Sequence, residues 1–158
     1  RHGLTETPLL CIDPWSGDLG MLLFRDDWDK KLTPGELADG RSTSYFQFML
    51  NVQSQIEAKQ MGPRHIVPLA VTSVVGARYL KALGATPDII YLDSAHESDE
   101  TFIELALYYH TLAPGGVVFG DDFSWESVQG DVKRFAAMHN LQVQSDGVTW
   151  TLQKPQQR

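Results

Sequence analysis

Apolar positions along the chain fall into two kinds of pattern, short unbroken runs and stripes spaced by four, and the two kinds alternate. LLCI at 9–12 is a run stopped by DPWSGD, whose acid, proline and glycine predict a strand followed by a turn. Residues 19–43 show no clear period and read as an irregular excursion with one short helix. From 45 to 60, Phe48, Val52 and Ile56 recur at i,i+4 with Met49 beside them, which predicts a helix ended by MGPR. HIVPLAV at 65–71 predicts a strand, and Pro68 within it argues for an edge or irregular place in the sheet.

The second half repeats the alternation more cleanly. A helix is predicted over 74–83 and closed by Gly84, and PDIIYLD then forms a strand. Over 99–112, Phe102, Leu105, Ala106 and Tyr109 make one apolar face; Ser98 is placed to cap this helix, with Asp99 and Glu100 in its first turn. PGGVVFGDD is a turn and a strand, and over 125–140 Val128, Val132, Phe135 and Ala136 line one side of a further helix. QVQSDGVTWTLQ alternates around an Asp-Gly pair, as two antiparallel strands at a sheet edge do. Strand and helix in turn, closed by a hairpin, predict an open α/β sheet with a mixed edge. The near-continuous runs at 89–92 and 117–120 read as strands covered on both faces.

Composition narrows the function. With 158 residues and 42% hydrophobic, the chain suits one domain with a real core. No apolar run approaches the length of a membrane span, and no leader pattern is present in these residues, so a cytoplasmic location is expected without a membrane partner. A net charge of -7 without a Lys/Arg stripe argues against nucleic acid. The single cysteine, Cys11, rules out an internal disulfide and a multi-cysteine metal cluster, and its apolar neighbours mark it as a buried structural thiol.

The chemistry gathers at strand ends. In open α/β folds, ligands bind outside the carboxyl ends of the parallel strands. Three strands here end in acid: LLCI at Asp13, IIYL at Asp93, and VVFG at Asp121 and Asp122. A right-handed crossover between the last two brings Asp93, Asp121 and Asp122 to one mouth, where mutual repulsion calls for a cation or a proton. Oxygen ligands favour Mg²⁺ or Ca²⁺ over zinc. Each Asp also has a structural reading, as a cap or a partner of turn amides. Asp13 suits a ribose hydroxyl, with Trp15 lining a cofactor or covering the core. His96, three residues past Asp93, is placed to take a proton from a substrate hydroxyl, or is a partly exposed loop residue.

The D-P-W-x-G-D near the start, V-T-S after PLA, D-I-I-Y-L-D-S-A-H, and L-A-P-G-G-V-V-F-G-D-D-F-x-W resemble the class I S-adenosylmethionine-dependent methyltransferases. The likeness is to the small-molecule and sugar O-methyltransferases and the cephalosporin-hydroxylase-like proteins of that fold, and it runs from about Leu9 to Leu152. It implies a Rossmann-like, seven-stranded sheet with a C-terminal antiparallel hairpin. It also implies S-adenosylmethionine as cofactor, Asp93, Asp121 and Asp122 as Mg²⁺ ligands, and Asp13 on the cofactor ribose. Thr72 and Ser73 would then lie near adenine, with Trp15 beside the cofactor. Asp93 and His96 would act at the acceptor oxygen, His96 as base.

One departure from the pattern matters. The family opens with a strand and glycine-rich loop, and nothing before Asp13 matches them. That first strand is central, so the expectation is a sheet lacking it in this chain, which would be a C-terminal portion of a longer enzyme. The expected activity is methyl transfer to a hydroxyl of a small molecule or sugar. A hydroxylase-like enzyme and a non-catalytic nucleotide-binding or interaction domain are the alternatives, and assembly into a homo-oligomer stays open. NAD-linked oxidoreduction is a weaker reading still, because no G-x-G-x-x-G occurs in the sequence.

Overall fold

The apolar runs become strands and the spaced stripes become helices in a computed structural model that describes residues 7–17, 37–38, 41–93 and 96–156. The strands are β1 (Leu9–Ile12), β2 (Leu37–Ala38), β3 (Arg41–Ser42), β4 (Ile66–Leu69), β5 (Ile89–Leu92), β6 (Val117–Gly120), β7 (Gln144–Ser145) and β8 (Trp150–Gln153). The helices are α1 (Thr43–Glu57), α2 (Ser73–Leu83), α3 (Glu100–Tyr108) and α4 (Glu126–Met138). They fall into two compact units that divide between Thr72 and Ser73.

In the first unit, β1 and β4 pair in parallel from Leu9↔Ile66 to Ile12↔Leu69. Leu9 N–H donates to His65 O and Asp13 N–H to Leu69 O, so His65, Val67 and Leu69 face β1 and Pro68 turns its nitrogen outward. Pro68 therefore occupies an outer edge, where its missing donor costs nothing. The same alternation turns Leu10 and Ile12 toward the far edge of β1, which no described strand pairs. β2 and β3 form a two-residue antiparallel pair inside the stretch expected to be irregular; the short helix expected there falls on residues outside those described. Helix α1 runs from Thr43 rather than Tyr45, and ends at Glu57 because Lys59 adopts a left-handed φ of 56°.

The second unit is a four-stranded sheet in the order β5-β6-β8-β7, with β5 and β6 parallel and β8 antiparallel to β6. Register aligns Ile90, Val118 and Leu152 in one row and Leu92, Gly120 and Trp150 in the next, and all five side chains in these rows are buried. Leu105, Val132 and Phe135 of α3 and α4 share that core. The opposite rows, Ile89–Val117–Gln153 and Tyr91–Phe119–Thr151, are not covered as expected. Ile89 is 68% and Tyr91 50% exposed, so this face stays open among the described residues. Val117 N–H donates to Asp88 O, which turns the N–H and C=O of Ile89 and Tyr91 away from β6, toward an edge that no described strand pairs.

The start of α3 also differs from expectation. Ser98 does not cap it; the chain enters through Asp99 at φ 74°, with no side-chain cap from that residue. Phe102 N–H instead donates to the buried carboxylate of Asp131, 3.2 Å away on α4. Arg134 bonds that carboxylate at 3.2 Å and Asp99 at 2.6 Å, and lies 4.0 Å from the centre of the Phe102 ring. A charged acceptor from a packed neighbour displaces the local serine hydroxyl. The helix stops at Tyr108, short of 112, where Thr111 Oγ1 takes the Tyr108 carbonyl at 2.7 Å. Lys154 Nζ takes the carbonyls of Tyr109 and Leu112 at 3.0 and 2.6 Å.

Candidate functional site

Parallel pairing brings the carboxyl ends of β5 and β6 side by side, so Asp93 and the Asp121–Asp122 pair leave the sheet at one place. The donor atoms of Asp93, His96 and Asp122 lie within 4.8 Å of one another. His96 Nε2 stands 2.6 Å from Asp122 Oδ2. Asp121 lines the same cleft, and its Oδ1 accepts the Asp122 N–H at 2.9 Å. The structure thus joins His96, expected as a base, to two of the three carboxylates expected as ligands, while Asp121 steadies the backbone beside them.

Glu104, Thr101, Leu92, Val128 and Trp150 complete the cleft, which encloses about 10 Å³, room for one ion or one water. Four carboxyl groups line it and, among the described residues, no lysine or arginine does. Such crowding favours a bound cation, and the carboxylate oxygens make a donor set that a hard divalent ion accepts, with the His96 imidazole beside them. The residues present therefore fit the expected metal.

Several supports of the site escaped the sequence reading. Tyr91 OH donates to Asp93 Oδ2 at 3.1 Å. Its hydroxyl is pushed up to about 12 by burial, by that bond, and by the charges of Asp93, Asp121 and Asp122, so it stays a donor through neutral pH. The signal was available: in a strand, residues i and i+2 share a face, as Tyr91 and Asp93 do. Gly120 is required where it stands, because a Cβ there would lie 2.4 Å from Leu92 O and 2.5 Å from the Trp150 ring. That approach lets Trp150 Nε1 donate to Asp121 O at 3.1 Å. Trp125 stacks on His96 with ring centres 4.8 Å apart, a long-range contact that no spacing shows.

The candidate cofactor residues take other places. In the first unit, Asp13 and Thr72 both lie just past the carboxyl ends of the parallel β1–β4 pair. The Asp13 carboxylate accepts the N–H of Trp15, which sits at φ 55°. The Trp15 indole packs on Tyr45 and Phe48 of α1, each 5.1 Å away between ring centres. Ser73 opens α2 in the second unit, where its hydroxyl and carbonyl meet the Tyr108 OH at 3.4 and 2.9 Å.

No family model matches the sequence, and no curated protein sequence matches it. Solved structures do. The calicheamicin methyltransferase superimposes with a TM-score of 0.59 at 13% identity, over 92% of this chain and 60% of that one. The O-methyltransferase of Bacillus cereus, solved with SAH, gives 0.51 at 14% identity, over 92% of this chain and 73% of that one. A protein from Corynebacterium glutamicum gives 0.56 at 10% identity, over 96% and 62%. The likeness is one of fold: the chain shares the Rossmann-like α/β fold of these solved structures. The C-terminal antiparallel strands of this Rossmann-like fold are β7 and β8. The chain spans about 60% of the calicheamicin methyltransferase, so it corresponds to part of that fold's length. No helix among the described residues is long and apolar enough to cross a membrane.

Proposed function

We propose that this chain is part of an enzyme that transfers a methyl group from S-adenosylmethionine to a hydroxyl of a small molecule or sugar, assisted by Mg²⁺. The observation that carries this reading is the Asp93–His96–Asp122 cluster at the carboxyl ends of parallel strands in a methyltransferase fold. The similar calicheamicin enzyme is a TDP-rhamnose 3'-O-methyltransferase, which supports a hydroxylated, sugar-like acceptor. Asp93 and Asp122 hold the cation, with Asp121 in the same cleft. Bound there, the ion would ease deprotonation of the acceptor hydroxyl, and S-adenosylmethionine would supply an already reactive methyl group. With Nε2–H donated to Asp122, His96 presents Nδ1 as the base that takes the hydroxyl proton. Asp13 accepts from the ribose, and Trp15, Thr72 and Ser73 line the nucleoside. The enzyme works in the cytoplasm.

Isothermal titration of S-adenosylmethionine, with and without Mg²⁺, tests the reading on this chain and on one extended into its natural upstream sequence. The extended chain is expected to bind, and Asp122→Ala to abolish the metal dependence while retaining part of the cofactor affinity. Absence of binding by both chains, or unchanged metal affinity in Asp122→Ala, overturns it. The edges of β1 and β5 that no described strand pairs support a second reading, a non-catalytic interaction domain, in which a strand-like partner binds and no methyl group is transferred.

A further inference from the structure

We infer that Trp125 is a positioning residue for His96: together with Asp122 and Ser127 it forms a preformed cradle that holds the imidazole in one orientation over the carboxylate cleft. The inference rests on the proposed role of His96 as base.

Three separate contacts hold His96, and all come from one six-residue stretch after β6. Asp122 Oδ2 takes Nε2 at 2.6 Å, the Trp125 indole stacks on the ring at an interplanar angle of 29°, and Ser127 Oγ donates to the His96 carbonyl at 2.5 Å. The first fixes one ring nitrogen, the second the ring plane, and the third the backbone from which the ring hangs. An imidazole so constrained keeps a single tautomer and direction, which is what a base near a reacting hydroxyl requires.

The stretch that supplies these contacts is itself anchored. Asp122 takes a left-handed φ of 57°, uncommon for a residue with a side chain, and the Trp125 N–H closes the turn on the Asp122 carbonyl at 2.9 Å. Between them Phe123 is buried, and its N–H donates to Val148 O at 2.7 Å. Gln129 Nε2 donates back to the Phe123 carbonyl at 3.3 Å. Trp125 itself is 53% exposed, so core packing does not account for an indole here. Its exposure also means that a smaller side chain removes the stack without opening a cavity.

The test uses the protein without ligands, so it does not depend on methyl transfer. Long-range proton–nitrogen spectra report the His96 imidazole, assigned by its loss in His96→Gln. Acylation of His96 by diethyl pyrocarbonate, followed by mass spectrometry, reports its freedom. Trp125→Ala is expected to shift the His96 resonances and speed acylation several-fold at an unchanged melting temperature. Trp125→Phe should restore both, and Ser127→Ala should speed acylation without removing the ring-current shift. Resonances and acylation rate in Trp125→Ala that match the wild type overturn the inference, as does a Trp125→Phe that behaves like Trp125→Ala. Should no S-adenosylmethionine bind, the enzymatic reading fails while these two measurements still decide the cradle. With an acceptor in hand, Trp125→Ala should lower kcat while leaving KM near its wild-type value.

Discussion

The two units of this chain carry similar pieces of α/β structure but bury them very differently. Every fully buried hydrophobic side chain among the described residues, from Ala77 to Leu152, belongs to the second unit. In the first, α1 has no buried residue, and its Tyr45, Phe48, Met49, Val52 and Ile56 stripe is only half-covered. The second unit also holds the Asp93–His96–Asp122 cluster, with Asp93 tied to β5 through Tyr91 and His96 to α4 through Ser127. Chemistry that needs carboxylates held in mutual repulsion is thus built where the backbone is best supported. The first unit carries instead Asp13, Trp15 and Thr72 of the residues proposed for the nucleoside, beside a parallel strand pair with an edge that no described strand pairs.

Core truncation should expose this contrast most strongly. Phe135→Ala is expected to cost about 3–5 kcal/mol, whereas Phe48→Ala, truncating a half-covered ring, should cost roughly 1 kcal/mol. Urea unfolding measures both, and equal costs would break the comparison. Next in size is Gly120→Ala, whose Cβ must displace either β5 or the Trp150 indole. It should cost about 1–3 kcal/mol and weaken Mn²⁺ binding at Asp93 and Asp122, read by titration beside thermal unfolding. Stability loss with unchanged Mn²⁺ affinity would separate the core from the site.

Asp131→Ala should cost about 1–2 kcal/mol, because the N–H of Phe102 loses its acceptor and the guanidinium of Arg134 keeps only Asp99. Amide exchange localised to the first turn of α3 is the expected signature; uniform exchange would argue against the cap. The smallest effect concerns Glu100, whose carboxyl is pushed up to about 7 by burial, then by the hydrogen bond to Glu97 and the charges of Glu97 and Glu104. The folded state holds this proton more tightly than the unfolded chain does. Stability is therefore lost as pH rises from the ordinary glutamate range through 7, and is fully present below it. Glu100→Gln should raise the melting temperature by a few degrees at pH 8 and leave it nearly unchanged at pH 4, as paired thermal melts would show.

The strand ends were legible because the signals were local. An apolar run ending in Asp says where a strand stops, so Asp13, Asp93 and Asp121 could be placed from adjacent residues alone. Pro68 marked its own edge position by the donor it lacks. The stripe Val128, Val132, Phe135 and Ala136 named the buried side of α4, and all four are buried. Ser98 misled because capping preferences describe an isolated helix, whereas a charged carboxylate from α4 takes the first-turn amide of Phe102 with Arg134 behind it. The open face of Ile89 and Tyr91 was equally hidden, since an unbroken apolar run does not say whether anything covers it.

The sequence by itself determined the α/β alternation, the acids at the strand ends and the antiparallel C-terminal strands, because each depends on residues a few positions apart. Tertiary structure alone decided that His96 meets Asp122 rather than solvent, that Trp125 and Ser127 hold it, and that Gly120 admits the Trp150 indole beneath Asp121. Those contacts join residues some thirty positions apart in the chain. Only parallel pairing of β5 with β6, and the packing of α3 against α4, brings them together.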